Sequence, residues 1–162
     1  MSDFIDIKRQ TRIALPEDDN YIYRLGIALY GFASISSFMI EIICHIDSNE
    51  DQTLLSNKMS GKILESFRKK LTAMKAEGQF PEIYETMENT ADLFQKLNLQ
   101  RSDFVHSYPI TNKDNQQILH RRKDVDNKYF QVDNDFLDEF IGELEVVSDG
   151  LYKIRAVVQQ KL

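Results

Sequence analysis

From Leu25 to Ile46 the chain is apolar or small almost without a break, and Glu41 and His45 are its only acid and base near neutral pH. A helix that is apolar all round either crosses a bilayer or is enclosed by other helices. Here Gly26, Gly31, Ser34, Ser36 and Ser37 dilute the stretch, and Glu41 would be costly in lipid. The favoured reading is an enclosed helix whose small residues mark close contact, within the domain or across a dimer. Membrane association is the alternative.

An enclosed helix needs partners, and 162 residues supply one domain with a single sizeable core. The chain is 42% hydrophobic and 28% charged with only three prolines, which is a folded composition and neither a disordered nor a low-complexity one. Its net charge of -6 excludes the broad basic field of a non-specific duplex-DNA binder, so any nucleic-acid contact must be local. The single cysteine, Cys44, excludes an internal disulfide and a multi-cysteine zinc site. The acidic start, from Met1 to Asp6, has no apolar core of a secretory signal, and the expected location is the cytoplasm.

Four long helices follow from the pattern. The first is expected to begin after Pro16, with Glu17, Asp18 and Asp19 near its positive end, and to reach about Ile46. Residues 47–57 read as a polar connection. The second, from about Ser60 to Glu77, carries one stripe of Ile63, Leu64, Phe67, Leu71 and Met74. Gly78 suits its exit and Pro81 the next entry, so the second and third helices form a hairpin. The third runs from about Pro81 past Phe104 and must end by Tyr108, because Pro109 disfavours helical geometry before it. The fourth, from about Asn134, repeats apolar residues at three- and four-residue steps from Leu137 to Val158, as core packing or as a dimer seam. Gly142 and Gly150 weaken that helix and suit close approach.

Between the last two helices, Gln117–Arg122 and Lys128–Val132 read as a short β-hairpin. The expected fold is all-α: an up-and-down bundle of four to five long helices with a small β-hairpin insertion before the last helix, as one domain over residues 1–162. The hairpin carries Arg121, Arg122, Lys123 and Lys128 beside Tyr129 and Phe130. Such a patch is either a solvated surface or a guide for an anionic substrate.

On a helical wheel Ile83, Met87, Thr90, Phe94, Leu97, Arg101 and Val105 of the third helix share one side. A guanidinium on an apolar stripe must be paired, directed along a cleft, or brought to a subunit boundary, because a lone buried charge costs several kcal/mol. His106 lies about 7.5 Å further along the axis and about 140° around, so regular helix geometry alone does not join it to Arg101. Asp103 reads either as a residue orienting the site or as a polar residue on the outer helix face.

The segment Arg101-Ser102-Asp103-Phe104-Val105-His106-Ser107-Tyr108 resembles the HEPN superfamily, whose nucleases carry R-x(4-6)-H near a helix end in an α-helical bundle. Arg101, His106 and Tyr108 match the extended form R-x(4)-H-x-Y of some HEPN toxins, and the long-helix architecture agrees more loosely over residues 16–162. The residue after the arginine is often Asn, Asp or His in the family and is Ser102 here.

The resemblance implies a metal-independent endoribonuclease, a cytoplasmic toxin or antiviral defence effector that needs no cofactor. In it the RNA 2′-hydroxyl attacks the adjacent phosphate and leaves a 2′,3′-cyclic phosphate. Arg101 would bind the phosphate and stabilise its growing charge, and His106 would move protons, with Ser102 and Tyr108 auxiliary. Arg121, Arg122 and Lys123 would guide the RNA. The family also implies a homodimer with a composite active site and a nucleotidyltransferase antitoxin that adenylylates the tyrosine. Tyr108 is otherwise a packing residue or a phenol touching substrate.

The competing reading is a non-catalytic HEPN-like module that dimerises or binds a nucleotide or protein. His45 reads as packed and His120 as a surface residue or an RNA contact. Glu143, Glu145 and Asp149 read as solvated faces, and no phosphate-cradling glycine loop occurs.

Overall fold

The computed structural model describes residues 3–123 and 128–159. Its elements are α1 (Phe4–Gln10), α2 (Asp19–Ile46), α3 (Gln52–Ser56), α4 (Ser60–Glu77), α5 (Tyr84–Val105), β1 (Tyr108–Thr111), β2 (Gln117–Lys123), β3 (Lys128–Val132) and α6 (Asn134–Gln159). The molecule is thus mostly α-helical, with a small antiparallel sheet before the last helix.

α2 begins at Asp19, two residues later than expected. Asp18 stays extended and its carboxylate accepts the Asn20 N–H at 2.9 Å, so the side chain that satisfies the first-turn amides sets the start, and Pro16 lies outside the helix. By length and composition α2 is apolar enough to cross a membrane. In the bundle, however, Tyr21, Ala28, Phe32, Ile35, Met39 and Ile42 are buried along one side. The polar connection after it contains α3, which the sequence reading omitted. Asp51 caps α3 and Leu55 is driven into the core, while Lys70 ties the preceding loop by ion pairs of 2.6 Å to Asp47 and to Glu50.

α4 occupies the expected span and buries the expected stripe. Gly78 closes it in the left-handed region (φ 65°), where the Gln79 N–H donates to the Met74 carbonyl at 2.9 Å. Pro81 then opens a single 3-10 turn, Pro81–Ile83, before α5. α5 lies antiparallel to α4, as the Arg68–Asp92 and Lys75–Glu88 ion pairs show. It is antiparallel to α6 as well, through Lys96–Glu143 and Phe104–Phe140. α2 and α6 run parallel, joined by Arg24–Asp138 near their starts and Glu41–Arg155 near their ends.

The sheet has three strands in the order β1-β2-β3, one more than the expected hairpin, and Lys123 belongs to β2. Pro109 does end the helical stretch, but it sits in β1, opposite Leu119. β1 is an edge strand, which tolerates a residue without an N–H. The connection to β2 is organised by Asn112, whose Oδ1 accepts the Asp114 and Gln116 amides at 3.0 and 2.8 Å, with Asn115 in the left-handed region.

Tyr21 holds the sheet to the bundle. It is 2% exposed; its hydroxyl donates to the Val132 carbonyl at 2.6 Å and accepts the Leu119 amide at 2.8 Å. Leu119 and Val132 are partners in the β2–β3 register, so one phenol bridges the ladder. Burial pushes that phenol's pKa up, partly opposed by the Leu119 amide.

Candidate functional site

α5 delivers the motif residues to the junction between the bundle and the sheet. Met87, Thr90, Phe94 and Leu97 of its inward stripe are buried, Arg101 is half-buried and Val105 is 48% exposed, while Phe104 and Asp103 on the same last turn are buried. The Arg101 guanidinium lies over the Phe32 ring, 5.1 Å from its centroid, and donates to Asn98 Oδ1 at 3.3 Å. Its Nε is shut from solvent and has no hydrogen-bond partner among the described residues. No carboxylate pairs with it among those residues. An aromatic face stabilises such a cation by about 0.5–2 kcal/mol, which leaves its charge unneutralised.

His106 is the C-cap of α5, where its amide donates to the Ser102 carbonyl at 3.1 Å. Its imidazole is exposed, whereas Arg101 faces α2, and no hydrogen bond joins them in the chain. Tyr108 opens β1 at 44% exposure, opposite His120 in the register, with ring centroids 5.7 Å apart. Ser102 is half-buried on the last turns of α5.

Asp103 departs from the outer-face reading. It is 8% exposed, and Arg121 from β2 lies against it, Nε 3.3 Å from Oδ1, at ion-pair distance though without hydrogen-bond geometry. Arg121 also donates from Nη1 to the His106 carbonyl at 2.9 Å. Its side chain, 15% exposed, clamps the end of α5 to the sheet and holds the backbone that carries His106. The side chains of Arg122 and Lys123, the other two expected RNA guides, lie outside the described residues. Helical periodicity could not reveal Asp103, which sits about 200° around from Arg101. β2, distant in sequence, covers that side.

The remaining candidates sit elsewhere. His45 is half-buried at the far end of α2, with Nε2 3.4 Å from Glu41 Oε1 and 3.1 Å from Gln159 Nε2. His120 is half-buried with its Nδ1 unpartnered. Burial pushes the Cys44 thiol up, which disfavours the thiolate. Among the described residues no group of three or more His, Cys, Asp or Glu is placed to hold a metal ion. A cleft of about 900 Å³ opens where α2 and α6 start beside the β1–β2 loop, lined by Glu17, Asp18, Asp114, Asp133 and Asp135. The carboxylates there outnumber Lys113, the cleft's one lysine among the described residues, so the cleft disfavours an anionic ligand.

No family model, curated protein or solved structure matches this chain.

Proposed function

We propose that the chain is a metal-independent endoribonuclease of HEPN type, acting in the cytoplasm as a toxin or defence effector. The observation that carries this reading is Arg101: a half-buried guanidinium on an aromatic ring, without a carboxylate partner among the described residues, on the helix that ends in an exposed His106. A scissile phosphate would supply the missing negative charge. The RNA 2′-oxygen bonds to phosphorus as the 5′-oxygen leaves, and His106 accepts the 2′-hydroxyl proton. Arg101 stabilises the charge that grows on the phosphoryl oxygens.

In one chain Arg101 faces α2 and His106 faces solvent. That division favours a composite site in which a second copy completes the pair. The exposed Tyr108 phenol is accessible to a nucleotidyltransferase antitoxin.

The test is cleavage of single-stranded RNA in EDTA by the wild type, Arg101→Ala and His106→Ala. Each substitution is expected to lower the rate by about 100-fold or more. Mixing the two variants should restore a fraction of the activity if the site is composite. Equal cleavage by all three proteins rejects the assignment. A non-catalytic interaction module is the second reading, favoured by the use of Arg121 as a structural clamp; absence of cleavage by a folded wild type selects it.

A further inference from the structure

RNA cleavage by 2′-hydroxyl attack moves two protons. One leaves the 2′-hydroxyl, and one must reach the 5′-oxygen as its bond to phosphorus breaks, because an alkoxide is a poor leaving group. His106 takes the first. The donor of the second has to be a group at the junction of α5 and the sheet that holds a transferable proton near neutral pH. Guanidinium groups such as those of Arg101 and Arg121 keep their protons, and hydroxyls and phenols ionise only at high pH. Asp103 is taken up by Arg121, whose Nε lies 3.3 Å from its Oδ1. An imidazole suits the task, and the junction holds a second one, His120 of β2.

The sheet register and two anchors place His120 beside His106. His120 stands opposite Tyr108, two residues beyond His106, and the Tyr108 and His120 rings are 5.7 Å apart. Paired Cα atoms on antiparallel strands are about 4.5–5.5 Å apart, and two residues of chain span about 7 Å at most, so the Cα atoms of His106 and His120 lie within about 13 Å. Two imidazoles can close that span around one phosphate. Both chain neighbours of His120 are held: the Leu119 N–H donates to the Tyr21 hydroxyl at 2.8 Å, and Arg121 Nη1 donates to the His106 carbonyl at 2.9 Å. The second bond ties the strand of His120 directly to the backbone of His106, which fixes the two carriers relative to each other before any substrate binds. The His120 ring is half-buried, with Nδ1 shut from solvent and Nε2 not so sealed, so Nε2 is the nitrogen that can meet substrate.

We infer that His120 is the general acid of the cleavage, an inference that rests on the nuclease reading. As the 2′-oxygen bonds to phosphorus, the bond from phosphorus to the 5′-oxygen breaks, and its electron pair takes the proton from Nε2 of the His120 imidazolium. His106 ends protonated and His120 ends neutral. The products are a 2′,3′-cyclic phosphate and a free 5′-hydroxyl, and exchange with solvent returns each histidine to its starting state. Proton transfer to a leaving group contributes a factor of about 100 to 10,000 in rate, so the acid is visible in kinetics.

The test changes the leaving atom. A thiolate departs without a proton, so RNA with sulfur in place of the bridging 5′-oxygen at the wild-type cleavage site bypasses a general acid. The wild type, His120→Ala, His120→Gln and His106→Ala are assayed on the oxygen and the sulfur RNA, with circular dichroism checking that each variant is folded. Both His120 variants are expected to cleave the oxygen RNA about 100-fold or more slowly, to stay within about threefold of the wild type on the sulfur RNA, and to lose the alkaline fall of the pH–rate profile. His106→Ala should be slow on both. His120 variants that match the wild type on the oxygen RNA overturn the inference and leave the nuclease reading standing. Equal loss on both RNAs by a folded His120 variant also overturns it, and assigns the ring to packing against Tyr108. A wild type that cleaves no RNA rejects the nuclease reading and this inference with it.

Discussion

Tyr21 shows how one side chain decides the position of a whole subdomain. Its ring fills the core while its hydroxyl serves two backbone groups, Leu119 N–H and Val132 C=O, that face each other across β2 and β3. Tyr21→Phe keeps the ring and strands both groups. The expected cost is about 1–3 kcal/mol of unfolding free energy in urea titration; an unchanged midpoint would show that the phenol carries no load. The sign of the pH effect follows from the raised phenol pKa. The unfolded chain ionises first, near the ordinary value of 10.0, so stability is full below that pH and falls as pH rises above it. Tyr21→Phe should remove this tyrosine's share of the alkaline loss. Asp103 and Arg121 act on the same scale. Each is nearly enclosed, and together they fix the carbonyl of the residue whose imidazole the nuclease reading uses.

At the scale of elements, α5 and α6 come close at Gly150. Gly150 lies against Thr90, which is 5% exposed, and a Cβ on Gly150 would run into Thr90 Oγ1. Gly150→Ala is therefore expected to destabilise by about 1–3 kcal/mol through overpacking. Thr90→Ala should rescue much of that loss, because the two side chains would share one space. Additive losses in a double-mutant cycle by thermal or urea unfolding would refute that close contact. Gly142 was expected to have the same role and does not, since nothing stands within 4 Å of its Cβ position. Where period and caps are both local, elements were readable: α4 from Ser60 to Glu77 and the start of α6 at Asn134 lie where spacing and punctuation put them. α1, α3 and β1 were not readable. α1 buries no residue, α3 is shorter than two turns, and β1 exists only because β2 accepts its edge.

Across the whole molecule, protection from solvent should follow the depth of packing. The buried side of α2 touches α4, α5 and α6, and α1 is tied mainly by Lys8 to Asp19 and to the Glu17 carbonyl. Hydrogen exchange followed by mass spectrometry is expected to show α1 exchanging first, and the central amides of α2, α5 and α6 only on global unfolding. Equal protection of α1 and α2 would contradict this picture. The sequence by itself determined the helical class, the long apolar helix α2, and the local stripe that draws Arg101 inward, because a 3.6-residue period and helix caps act through neighbours in the chain. Tertiary structure alone decided that α2 and α6 run parallel, that Asp103 is covered by β2, that Arg121 is a clamp, and that one side of α2 stays open. Those outcomes depend on which surfaces remain after distant segments have packed, and that information is spread over contacts between residues far apart in the chain.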